Sequence, residues 1–331
     1  MQKLLSRILA ILIILLSPIA VTAEQKSICV YVTKEGVTKQ VNSISLVPDE
    51  SKPYTKCFDA SQNSYLASPD QVTLKGNTRQ ADIVSPLGNI HLRWPRSVEN
   101  LFGRTPERAM ADAASAVNRA LKSSGFPPEL QRLALEWQVV FLDETLPSAE
   151  IPMYLVSNCH PAWMTPPANL YVVAQRVAAG CGGQAHSSFV NDGELSQVLI
   201  HEIGHAIEYV LLKGEGGSDR MRAEGFASWF EQYGSDYSSV GTRGKAKATY
   251  AAMAKKAFQN SPGEFTFRGS GEDYARASMF FHAIVKKRGI KGLMDVYKLM
   301  AERRDPFFDA VAAKIGWSPS TLNAEAMKVL K

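Results

Sequence analysis

Cysteine is scarce in this chain: four in 331 residues, Cys29, Cys57, Cys159 and Cys181. No two of them form a C-x-x-C pair, which argues against a thiolate metal site. After the first 23 residues no apolar run approaches the roughly 20 residues that a spanning helix requires. Basic residues do not cluster on any stretch, and the net charge is only +5, so nothing points to nucleic acid as a partner. Low-complexity tracts and internal repeats are missing too. With 45% hydrophobic and 21% charged residues, the composition is that of a globular protein.

The one strongly apolar segment is N-terminal. Lys3 and Arg7 precede an apolar run over residues 8–16, and Val21-Thr22-Ala23 supplies small residues ahead of Glu24. This is the pattern of a cleaved export signal over residues 1–23, so the protein is expected in a periplasm or outside the cell. Contact with a membrane is expected only through that segment. Removal of Lys3 and Arg7 leaves 35 basic against 32 acidic groups. In an oxidising compartment four cysteines suggest two disulfides, and local pairing of Cys29 with Cys57 and of Cys159 with Cys181 is the preferred of three connectivities. Each would close a loop of twenty-odd residues, worth about 3 kcal/mol in a chain-entropy account.

Residues 24–78 read as a small β-rich module, with strands expected over 28–32 (ICVYV) and 41–47. No chemistry attaches to it; an inhibitory pro-segment, a targeting module and a cap all fit. Residues 79–331 form the second expected domain. Strands are expected at 90–94 (IHLRW), 137–142 (WQVVFL) and 169–174 (NLYVVA), with an Ala-rich helix opened by Thr105-Pro106 and reaching about residue 123. From residue 194 the pattern is helical almost throughout. Together these predict an α+β fold: a small sheet, a helix beneath it and a helical C-terminal lobe.

The strongest chemical signal is His201-Glu202-Ile203-Gly204-His205, an H-E-x-x-H sequence. Asn191 with Glu194 suggests a capping box, apolar residues surround the motif, and Gly214 suggests an end, so the motif is expected mid-helix. Residues i and i+4 share a helix face. His201 and His205 can therefore offer imidazole nitrogens to one ion at about 2 Å, and zinc suits such donors. Glu202 sits one residue round the helix, beside the ion, where it suits a general base toward water that the ion acidifies to a pKa near 7.

A third ligand is needed. Glu208 is seven residues beyond His201, about 10 Å along the same helix axis, and suits a solvated or outer role. The metzincin pattern would require Gly and His where Glu208 and Leu211 stand. Glu224 is the better candidate: eighteen residues, 206–223, separate it from His205, and it lies in a second helical segment, EGFASWFE, after glycines that let the chain turn back.

H-E-x-x-H, eighteen residues and then EGFASWFE resembles the gluzincin metallopeptidases, most of all the aminopeptidase N group and its peptidase-MA-like relatives. The resemblance covers residues 190–331 and is specific over 201–231. It implies a zincin-like fold, one Zn2+ held by His201, His205 and Glu224, Glu202 as the base, and Glu231 as a carboxylate that orients a ligating histidine. Independently, Glu231 follows Glu224 by seven residues and so shares its helix face. The resemblance also implies that Tyr274, at the start of a helix running to residue 287, donates to the oxyanion of a tetrahedral intermediate. The G-x-M-E-N motif by which these aminopeptidases hold a substrate amino terminus is absent from 172–184, so an endopeptidase or processing enzyme acting on a peptide or protein is expected.

Other residues carry blander readings. His91, His160 and His282 are expected to be structural, and His186 to lie in a polar loop near the cleft. Arg220 and Arg222 are expected as ordinary ion-pair partners. The rigid 163–167 stretch (WMTPP) suits packing or a pocket wall, and a peptide is expected along a sheet edge at 169–174. A zincin fold kept as a non-enzymatic binding module, with zinc as a staple, is the alternative to a hydrolase.

Overall fold

Contacts along the chain separate residues 1–66 from residues 67–331. The computed structural model describes residues 27–32, 38–41, 47–49, 52, 56–59, 72, 74, 76–99, 101–123, 125–143, 160–179, 195–214, 219–239, 244–263 and 265–330. The expected export signal, Cys159, Cys181, His186, Asn191 and Glu194 lie outside them. In the first unit β1 (Ser27–Val32), β2 (Thr38–Val41) and β3 (Lys56–Asp59) form an antiparallel sheet in the order β2-β1-β3. The register sets Cys29 opposite Cys57. β2 ends at the residue where a strand over 41–47 was expected.

The larger unit begins with a hairpin, β4 (Thr78–Ser85) and β5 (Gly88–Pro95). Ile90, Leu92 and Trp94 of β5 are buried, while His91 and Arg93 between them are half-buried; that alternation is what one packed sheet face demands. β4 was not expected, because TRQADIVS is polar and exposed at one end. The chain continues through α1 (Pro106–Leu121), the short α2 (Pro128–Gln131) and β6 (Trp137–Leu142), then β7 (Ala162–Thr165), β8 (Asn169–Val173) and α3 (Ala174–Ala179). Thr105 caps α1 by accepting from the Arg108 amide at 3.3 Å, with Pro106 in the first turn.

The second sheet has the order β4-β5-β6-β8-β7, with β5, β6 and β8 parallel and β4 and β7 antiparallel at the two edges. This corrects the expected sheet edge. β8, which covers 169–173, is hydrogen-bonded on both sides, so its backbone has no edge to offer; among the described residues the edge strands are β4 and, next to β8, β7. The continuous apolar run LYVV of β8 is that of an interior strand buried on both faces, and each of those four residues is indeed buried.

Among the described residues six further helices follow: α4 (Leu195–Leu211), α5 (Arg220–Ser235), α6 (Lys245–Asn260), α7 (Gly271–Arg303), α8 (Phe307–Ile315) and α9 (Pro319–Val329). α1 packs on β4 and on α4, and α4 packs on β7, so both helices cover the sheet. α5 lies between α4 and α7, and α6, α8 and α9 pack on α7. α7 breaks at Gly289, whose φ of 69° is left-handed. No helix of the described residues is long and apolar enough to cross a membrane. The result is a mixed fold, with a five-stranded sheet on one side and a helical C-terminal half on the other.

Candidate metal centre

Helix α4 is apolar on almost every side: Leu199, Ile200, Ile203, Ala206 and Ile207 have no exposed surface. A helix buried all round is held by packing rather than by propensity. Its polar residues Ser196, Gln197, His201, Glu202 and Glu208 are therefore buried as well, and most buried polar groups have partners. The helix stops where Lys213 and Gly214 turn left-handed and the Gly214 amide donates to Tyr209 O at 2.9 Å. α5 starts at Asp219, whose carboxylate accepts from the Arg222 amide at 3.0 Å.

The two helices approach closely because Gly204 lacks a side chain. A Cβ there would lie 3.1 Å from Ala227 Cα. That approach brings Glu224 of α5 against the histidines of α4. Its Oε2 lies 3.5 Å from His201 Nε2 and 3.4 Å from His205 Nε2. Two donors, each about 2.1 Å from a shared ion at the tetrahedral angle, lie about 3.4 Å apart. One donor atom from each of the three residues falls within 4.8 Å of the others. The donor set therefore fits a metal ion, with two imidazole nitrogens and one carboxylate oxygen.

The surroundings favour positive charge at this point. Glu231 Oε2 lies 3.2 Å from His201 Nδ1 and accepts from the Tyr250 hydroxyl at 2.7 Å. Burial lowers the His201 pKa, but the Glu224 and Glu231 carboxylates outweigh it and push the ring up to about 10. Burial likewise opposes a charge on His205, which the carboxylates also raise. For Glu224 burial works upward, and the two imidazoles overcome it and hold the carboxyl well below its usual range. Glu202, beside them, behaves differently: burial raises its pKa, only partly opposed by His205 and His201. One buried carboxylate is thus committed to the donor set while its neighbour retains affinity for a proton.

A cavity of about 360 Å3 opens over these groups. His160, Trp163 and Met164 line one side; Glu202, Arg220 and Tyr274 line others. The 163–167 stretch, through Trp163, Met164 and Pro166, is thus a pocket wall. Tyr274 lies in the first turn of α7, which Ser270 and Asp273 close as a capping box. Its ring stacks on His201 at a centroid distance of 6.4 Å, and its oxygen accepts from Arg220 Nη2 at 3.3 Å. Burial first, and then Glu224, raises the phenol pKa far above its usual value, so it remains a donor at neutral pH.

Of the solvated and outer roles expected for Glu208, the first is excluded. Arg222 Nε donates to Glu208 Oε1 at 2.9 Å and the Tyr297 hydroxyl donates to the same oxygen at 2.6 Å. Lining the same cavity as the donor set, Glu208 ties α4 to α5 and α7. His282 is half-buried and bonded to Gln232, and half-buried His91 bridges Asp82 and Glu136. Sequence reasoning missed Tyr250, which holds Glu231 from α6, and the reach of Arg220 to Tyr274; neither residue belongs to a motif. Comparison with protein-family models and with curated proteins finds no match to this chain.

Proposed function

We propose that this protein is an exported, zinc-dependent peptidase of gluzincin type that cleaves internal bonds of a peptide or protein. The observation that carries the reading is Glu224 Oε2, near-equidistant from His201 Nε2 and His205 Nε2, with Glu202 buried one residue along the same helix. Two imidazoles and one carboxylate, leaving a coordination position open, are the donor set of a hydrolytic zinc site. Zinc held there would supply Lewis acidity to a carbonyl and to water.

The chain's own groups account for the rest. Glu202, with a raised pKa, takes a proton from the attacking water and passes it to the leaving amine. Tyr274 donates its hydroxyl to the oxygen on which charge develops. Substrate backbone lies along β7, the edge strand whose Ala162, Trp163 and Met164 line the cavity, and adds to the sheet as a further strand. Export follows from the N-terminal pattern, and a zincin-like fold from the resemblance around residues 201–231.

The test combines metal analysis of purified protein with digestion of a peptide library, run beside Glu202→Gln. The wild type should carry one zinc per chain and cleave. The variant should keep its zinc and lose activity by roughly 100- to 10,000-fold. Full activity in Glu202→Gln would remove this mechanism, and zinc without any turnover would leave a metal-stapled binding module instead.

A further inference from the structure

Arg220, the first residue of α5, has no part in the reaction just described, yet it touches two groups that do. Its Nη2 donates to Tyr274 Oη at 3.3 Å. Its Nε lies 3.8 Å from Glu224 Oε1, the carboxylate oxygen opposite the one that faces the imidazoles. The guanidinium is seated: Cζ lies 5.7 Å from the centre of the Phe267 ring. A Cβ on Gly269, which has a φ of +90°, would come within 3.3 Å of both Arg220 Nη atoms. A side chain at 269 would therefore crowd the guanidinium, and the loop turns there in a conformation that suits glycine.

A surface arginine in a single ion pair would be worth little, and Arg220 is 49% exposed. Here one planar group spans two partners on different helices, α5 and α7. A guanidinium carries its donors at fixed spacing, which an ammonium on a flexible stem does not. The Tyr274 oxygen accepts from Arg220, so the guanidinium meets the phenol as well as the Glu224 carboxylate.

We infer that Arg220 is a positioning residue that holds Glu224 and Tyr274 in a fixed relation, keeping Glu224 Oε2 turned to the histidines and Tyr274 in its place at the cavity wall. The Tyr274 half rests on the peptidase reading; the Glu224 half needs only that the donor set binds a metal.

The experiment compares full-length wild type with Arg220→Met, Arg220→Lys, Tyr274→Phe and the Arg220→Met/Tyr274→Phe double variant. Zn2+ affinity is read by competition with a chromogenic chelator, and turnover on a peptide substrate at saturating Zn2+. Arg220→Met should bind Zn2+ about tenfold more weakly, as for other groups that orient a ligand. Tyr274→Phe should leave that affinity unchanged. Arg220→Lys should recover Zn2+ affinity but not kcat, which should stay about tenfold low with KM unchanged. The double variant should turn over no more slowly than the slower single variant.

Wild-type Zn2+ affinity in Arg220→Met overturns the inference, as does full kcat in Arg220→Lys or a multiplied loss in the double variant. If the wild type binds Zn2+ but hydrolyses nothing, the peptidase reading fails and the Tyr274 half falls with it; the affinity comparison still decides the Glu224 half. Should Arg220→Met not fold, Arg220→Gln carries the same comparison.

Discussion

Glu231 stands 3.2 Å from His201 Nδ1, on the side of the imidazole away from the nitrogen that faces Glu224. The carboxylate fixes the ring by accepting from Nδ1, so that once the ring gives up its other proton to a metal, Nε2 presents its lone pair to the donor set. Tyr250 holds the carboxylate in turn. The chain of contacts runs from α6 through α5 to α4, so the rotation of one ligand depends on three helices.

Replacing Glu231 tests that chain. Glu231→Gln should weaken metal binding by roughly 10- to 100-fold, read by chelator competition. Tyr250→Phe should weaken it less, since one partner of the carboxylate remains. Unchanged affinity in Glu231→Gln would mean that the helix alone fixes the His201 ring.

The Glu208–Arg222 pair predicts a stability effect independent of metal. Both side chains are less than a tenth exposed. Removing one leaves a buried charge without its partner, at a cost of about 3–5 kcal/mol. Glu208→Leu and Arg222→Met should each destabilise by that order in urea unfolding. The double variant should lose clearly less than the two losses together, and full additivity would show that the groups do not act as a pair.

His282 predicts a pH dependence. Its Nε2 lies 2.9 Å from Gln232 Oε1, while Gln232 Nε2 donates to Ser228 O and Ser278 Oγ, so the His282 proton is on Nε2. Burial, helped by the charge of Lys247, drives its pKa from 6.5 to about 4. Its folded pKa is thus below its unfolded one. Above pH 6.5 the ring is neutral in both states; as pH falls toward 4 the unfolded chain takes up a proton that the folded chain refuses. Stability should fall with pH over that window by about 1.4 kcal/mol per unit from this group. His201, raised to about 10, acts in the separate window above 6.5. Unfolding of metal-free protein between pH 4 and 7 should show a flatter slope in His282→Gln, and equal slopes would dismiss the role.

Gly225 adjoins Glu224 and marks the crossing of α5 and α7. A Cβ there would lie 2.7 Å from Phe281 Cε2 and 3.0 Å from Ala277 Cβ. Overpacking costs about 1–3 kcal/mol, and alanine recovers about 1 kcal/mol of helix propensity. Gly225→Ala should therefore lower the Tm by a few degrees and weaken metal binding through the displaced Glu224. A raised Tm would mean that the two helices separate freely.

Whatever depends on neighbours along the chain was legible in the sequence. The spacing of His201 and His205 within one apolar helix needs only 3.6 residues per turn, and Thr105-Pro106 marks the start of α1 for equally local reasons. The edge position of β7 was not legible. Four residues, AWMT, carry no alternation long enough to read, and which strand borders a sheet is set by the pairing of all the others. The burial of Glu208 was hidden as well, since its partners are 14 and 89 residues away.

By itself the sequence determined which side chains one helix can offer together, and its periodicity marked the helical half, because both follow from the repeat of the helix. Only the tertiary structure decided that Glu224 meets those imidazoles, that Tyr250 reaches Glu231, and that Arg220 spans Glu224 and Tyr274. Those encounters depend on how closely the helices cross. Bare glycines at 204 and 225 set that closeness, and their effect appears only once the opposing Ala227 and Phe281 are packed against them.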